Sequence, residues 1–120
     1  MGNKKKLLRY LDYFNERENK FYELKTPIEG SRIIRYYDYD VEVLNFLDEF
    51  ARTDMIDYSY GTNMEKIDLE KISELDEKKI GTILTYYLRT ERFADGTWAK
   101  AIDKGIFLEC IERLKVVLEV

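Results

Sequence analysis

Apolar side chains recur every three to four positions along most of the chain, the period of an amphipathic helix. Leu7, Leu8, Leu11 and Phe14 set that spacing first, and Phe21 and Tyr22 extend it less regularly. A helix from residue 4 to about 24 is therefore expected, broken by Pro27 and Gly30. The next segment, SRIIRYYDY at 31–39, is rich in β-branched and aromatic residues. It suits a strand, but no clear partner strand exists, so it reads as an extended connection. A minor two-stranded element, if formed, would join residues near 32–37 to residues near 56–60.

Asp40 is placed as an N-cap, with Glu42 in the first turn, for a helix of about 41–52 whose stripe is Val43, Leu44, Leu47 and Phe50. Residues 53–67 read as an irregular connection that turns at Gly61. Ile67 or Asp68 opens a short helical segment through Ser73, and Asp76 caps the next helix, expected over 77–92. Its stripe is Ile80, Ile83, Leu84, Tyr87 and Leu88. Ala94-Asp95-Gly96 reads as a turn. Thr97 is the expected cap of a short helix to Lys104, and Gly105 fits the left-handed position that ends it. Ile106, Phe107, Cys110, Ile111, Leu114 and Val117 mark the last helix. The fold class is all-α, one compact domain over residues 1–120 of about five helices.

The stretch LRTERFADGTW, residues 88–98, concentrates the candidate chemistry. At about 100° per residue, Glu91 falls about 20° from Ile80, inside the apolar stripe, with Arg92 near its edge and Arg89 opposite. A carboxylate in the last turn of a helix is opposed by the dipole, and a buried one needs partners. The unpaired N–H groups of the next helix can supply them if the chain reverses at Ala94-Asp95-Gly96, with Arg92 or another cation on the second oxygen. Read this way, the stretch is a structural corner packed by Phe93 and Trp98. The same residues also suit a ligand site. Arg89 and Arg92 could clamp a phosphate or carboxylate beside the Trp98 ring, with Glu91 and Asp95 as an acid–base pair.

The segment LTYYLRTERFADGTWAKAIDKGIF resembles the C-terminal signature of a family of small, uncharacterised bacterial proteins, a domain of unknown function. Arg89, Glu91, Arg92, Phe93, Gly96 and Gly105 carry the likeness. The resemblance implies a mostly helical bacterial fold and brings no activity, substrate or cofactor.

Composition narrows the chemistry. The chain has no histidine and one cysteine, which removes the commonest general base, a histidine-activated nucleophile, a thiolate zinc site and an intrachain disulfide. Cys110 falls within an apolar stripe and is expected in the core. Asp38, Asp40 and Glu42 have the alternate spacing of a calcium loop, but Val43 stands where that loop needs glycine, so no metal and no cofactor is expected.

The net charge of −4 is uneven. Residues 1–35 hold nine basic and five acidic side chains, residues 36–76 three and twelve, and residues 77–120 eight and seven. Lys4-Lys5-Lys6 and Arg9 are the modest basic surplus, too little to expect nucleic-acid binding. The apolar run after them is too short for an export signal, and Lys6 stands where an acylation signal wants Ser or Thr. A cytoplasmic protein without membrane contact is expected.

The acidic middle also holds Tyr36, Tyr37, Tyr39, Tyr58 and Tyr60, a composition suited to contact with a basic protein surface. The leading expectation is a non-enzymatic bacterial protein-interaction module, working with a protein partner or as a homodimer. Its surfaces would be the Tyr/Asp region at 36–60 and the Arg89/Arg92/Trp98 corner. The alternative is a small enzyme or anion binder using Arg89, Glu91, Arg92 and Asp95.

Overall fold

The structure is a computed structural model that describes residues 3–16, 18–25, 36–91 and 96–118. A 3-10 helix, Asn3–Arg9, runs directly into α1, Tyr10–Asn15. Leu7, Tyr10 and Phe14 keep helical spacing across the junction and are all buried. The helix expected to reach residue 24 stops at Asn15. The Asn19 side-chain amide donates to the Tyr13 carbonyl at 2.9 Å, taking an acceptor that further helix would have used. The chain then returns, and Phe21 stacks on Phe14 with ring centroids 5.7 Å apart. Phe21 reaches the core from a reversed segment, which explains why it fits the helical stripe poorly.

β1, Tyr22–Lys25, pairs antiparallel with β2, Tyr36–Tyr39, in a register that sets Tyr22 opposite Tyr39 and Lys25 opposite Tyr36. Residues 36–39 are therefore a strand and not a connection, and their partner is 22–25 instead of a segment near 56–60. Residues 31–35 lie outside the described residues. Alternation along the hairpin puts Tyr22, Tyr37 and Tyr39 on one face, where their rings meet at 5.8–6.2 Å. The other face carries Lys25, whose ammonium meets the Asp38 carboxylate at 2.7 Å.

α2, Val41–Ala51, follows at once and buries Val43, Phe46, Leu47 and Phe50, while Leu44, expected in the stripe, is exposed and Phe46 takes its place in the core. Asp40 holds the cap position, but its carboxylate accepts from the Tyr13 hydroxyl at 2.6 Å and not from its own helix. Burial, and then this carboxylate, raise the Tyr13 pKa. The 53–67 segment also departs from expectation: it contains α3, Tyr60–Met64, with Gly61 inside it. Asp57 organises that start, accepting from the Ser59 amide at 2.8 Å and from the Asn63 side chain at 2.9 Å. A 3-10 helix, Leu69–Glu74, is opened by Asp68, and α4, Glu77–Thr90, is capped by Asp76 through the Lys79 amide at 2.9 Å. α5, Thr97–Asp103, takes Gly96 and not Thr97 at its cap position. Gly105, at φ 73°, separates it from α6, Ile106–Val117.

The core lies among the N-terminal helices, α2, α4 and α6, with Phe46, Ile83 and Phe107 fully buried at its centre. Cys110 is buried there too, as expected, and burial raises its thiol pKa. α4 is enclosed on a second face that its apolar stripe did not announce: Gly81, Thr82 and Thr85 are all buried. A β-carbon on Gly81 would collide with the Met55 carbonyl oxygen, so the loop after α2 lies directly on α4. Alanine in a helix interior usually improves stability by about 1 kcal/mol over glycine. Gly81→Ala is expected to do the opposite and cost roughly 1–3 kcal/mol by overpacking. A urea midpoint at or above that of the wild type would show that this close approach is not real.

Candidate functional site

The corner expected at 88–98 is formed by the end of α4, the start of α5 and the hairpin. Glu91 stands at the C-cap of α4, where the helix dipole opposes a carboxylate by about 0.3–1 kcal/mol. Against this, Oε1 of Glu91 accepts from the Trp98 amide at 2.8 Å, and Oε2 accepts from the Gly96 amide at 3.0 Å. Hydrogen bonds to a charged group contribute about 1.5–3 kcal/mol each, so the compensation outweighs the dipole. Gly96 has no side chain to cap α5, and the Glu91 carboxylate serves that end from the preceding helix. The left-handed φ of 91° favours glycine at 96, and a β-carbon there would lie 2.7 Å from the Tyr37 ring.

No cation among the described residues pairs with Glu91. Its remaining partner is the Tyr39 hydroxyl, which donates to Oε2 at 3.0 Å and accepts from the Ala99 amide at 3.2 Å. Burial first, and then the Glu91 charge, raise the Tyr39 pKa, so the hydroxyl keeps its proton. The Tyr39 and Trp98 rings meet at 5.1 Å, and the Trp98 indole N–H donates to the Tyr87 carbonyl in the last turn of α4. Sequence reasoning assigned Tyr39 to a docking surface and missed this role. The hairpin alternation would have signalled it, since residues 37 and 39 share the face opposite Tyr36 and Asp38.

The other candidates are dispersed. Arg89 is exposed and makes no ion pair among the described residues, while Arg92 and Asp95 lie outside them. Tyr37 is half-buried against Gly96, and Tyr36 is 46% exposed on the outer side of the hairpin. Two N-terminal cations are engaged internally, Lys4 with Glu77 at 2.9 Å and Arg9 with Glu49 at 2.7 Å. Glu49 also accepts from the Tyr10 hydroxyl.

A second cluster joins the loop after α2 to α4. Asp57 accepts from the Thr82 hydroxyl at 2.6 Å, and its own amide donates to the Thr85 hydroxyl at 3.0 Å. The Thr82 hydroxyl, followed by the Asn63 amide, holds the Asp57 carboxyl below its ordinary value. The hydroxyls at 82 and 85 beside Gly81 were the readable sign of a second packed face on this helix. The loop borders a hollow of about 460 Å³ lined by Asp54, Asp57, Tyr58, Glu77 and Lys78, and Tyr58 is 88% exposed there.

The described residues thus define a mainly helical domain with one hairpin docked on a carboxylate-centred corner, and none of its helices is long and apolar enough to cross a membrane. Residues 2–120 match the family of unknown function DUF6508, and the chain belongs to that family. No curated protein matches the chain, and no solved structure does.

Glu91→Gln should cost about 1.5–3 kcal/mol, because an amide nitrogen would face a backbone N–H, and Tyr39→Phe about 1 kcal/mol. Arg89→Gln should stay within about 0.5 kcal/mol of the wild type. Chemical denaturation of the three variants and of the Tyr39/Glu91 double variant reads this directly. Additive losses at 39 and 91 would mean that the hydroxyl and carboxylate do not act together.

The depressed carboxyl of Asp57 gives a pH signature. Its stabilisation is complete above the ordinary value of 3.8 and is lost as pH falls through the lower folded-state value. The stability gap between wild type and Asp57→Asn should therefore narrow between about pH 5 and pH 2. A gap that widens on acidification would reverse the assigned sign.

Proposed function

We propose that this protein is a non-enzymatic interaction module that docks on a basic partner surface through the hollow beside Tyr58. The exposure of Tyr58 is the observation that carries the reading. An aromatic ring left 88% in water contributes nothing to the core, yet it shares the lining of this hollow with Asp54, which makes no ion pair among the described residues. An exposed ring beside a carboxylate suits an arginine side chain, which can stack on the ring and pair with the acid.

The bonding of Glu91 supports a binding role over acid–base work at the corner. Both of its oxygens already accept hydrogen bonds from the scaffold, which leaves the carboxylate poorly placed to exchange a proton with a substrate. A bacterial, cytoplasmic setting is part of the same proposal and fits a single buried, unpaired cysteine.

The test is a titration of the isotope-labelled protein with the peptide acetyl-Arg-Gly-Arg-amide and its lysine counterpart, followed by NMR. The arginine peptide should bind more tightly and shift the signals of residues 54–59. Tyr58→Ala should weaken arginine binding roughly 3- to 10-fold and abolish the preference over lysine. Equal binding of the two peptides by the wild type would remove Tyr58 as the recognition element.

A further inference from the structure

The hairpin leaves the outer edge of β1 open. The Asp40 amide donates to the Phe21 carbonyl at 2.8 Å, which fixes the phase of the ladder. With Tyr22 opposite Tyr39 and Leu24 opposite Tyr37, the backbone groups of Glu23 and Lys25 face β2, and those of Tyr22 and Leu24 face outward. Among the described residues, the amides and carbonyls of Tyr22 and Leu24 have no hydrogen-bond partner. Glu23, Leu24 and Lys25 are all exposed, with Leu24 44% in water. An open edge of this kind is a template for another strand, and a two-stranded hairpin gains stability from further strands.

We propose that the occupant is β1 of a second copy, paired antiparallel across a two-fold axis at Leu24 to give a four-stranded sheet. Charge selects this pairing. Glu23 and Lys25 share one face of β1. Centred on Leu24, the pair sets Glu23 opposite the partner's Lys25, and Lys25 opposite the partner's Glu23. Lys25 keeps its 2.7 Å contact with Asp38 of its own chain, since an ammonium carries three donors. The same register sets Leu24 against the partner's Leu24, where their outward amides and carbonyls exchange two hydrogen bonds. Centring on Glu23 or on Lys25 would oppose like charges, and centring on Tyr22 would set Glu23 against the partner's Phe21. One register therefore satisfies the ladder phase, the charges and the exposed leucine together. β2 offers no such match, because its one charge, Asp38, would meet a tyrosine or another Asp38. The edge shares no residue with the hollow beside Tyr58 and does not depend on that reading.

Sedimentation equilibrium between about 10 µM and about 1 mM should show the mass rising toward two chains. Over the same range the Leu24 amide should gain protection from hydrogen exchange, while the Tyr37 amide, on the outer edge of β2, should not. Glu23→Lys sets lysine against lysine at both positions and should weaken the dimer roughly tenfold or more. Lys25→Glu, made together with Asp38→Lys so that the hairpin keeps its ion pair with the signs exchanged, should weaken it similarly. Mixed in equal amounts, the two variants should pair at about wild-type strength, since lysine then meets glutamate at both positions. Tyr58→Ala should leave the dimer unchanged. A chain that stays monomeric up to about 1 mM, an association indifferent to Glu23→Lys, or a mixture no stronger than its parents would overturn the proposal.

Discussion

The arrangement of the C-terminal half depends on one carboxylate placed where a helix should not want it. Glu91 follows the last turn of α4, at the carbonyl end of the dipole, and it lies in line with the apolar stripe. It is tolerated because the chain reverses and offers the amides of Gly96 and Trp98, while the hairpin offers the Tyr39 hydroxyl. Two successive helices and a hairpin tyrosine 52 residues earlier thereby share one charged acceptor. Removing that acceptor would leave N–H groups of α5 without partners, so the corner acts as a unit and not as a sum of contacts.

That constraint gives the hairpin its purpose in the fold. A two-stranded hairpin alone is marginal in water. Here its tyrosine face is held by the corner, with Tyr39 against Trp98 and Tyr37 over Gly96, and by the Tyr22 hydroxyl on Asp103. The hydrogen bond to the Asp103 carboxylate, and then burial, push the Tyr22 pKa up to about 12, so this tie also stays protonated near neutrality. The tyrosines that looked like a docking surface are largely used in attaching the hairpin. What remains outward is Tyr36 on the hairpin and Tyr58 on the loop after α2, two isolated rings of different surroundings.

The second tie, Asp57 to Thr82 and Thr85, does the same work at the other side of α4. It holds the loop after α2 close enough that Gly81 touches the Met55 backbone, and it leaves the adjacent Tyr58 facing water. A loop tied to a helix by these hydrogen bonds holds its exposed ring in place, so less ordering is needed on binding. Structure and proposed function meet at this loop.

The sequence by itself determined the helical class, the stripes of α4 and α6, the cap at Asp76, the core position of Cys110 and the need of Glu91 for backbone donors. These follow from local periodicity and from electrostatics within one turn of helix, which neighbours in sequence express fully. Tertiary structure alone decided that Phe21 returns to stack on Phe14, that 22–25 pairs with 36–39, that Tyr39 and not a cation completes Glu91, and that Asp40 serves Tyr13. In each case the deciding partner lies beyond the reach of a single helical turn. A short aromatic segment fits helix or strand equally well until a neighbour supplies the missing hydrogen bonds or ring contacts.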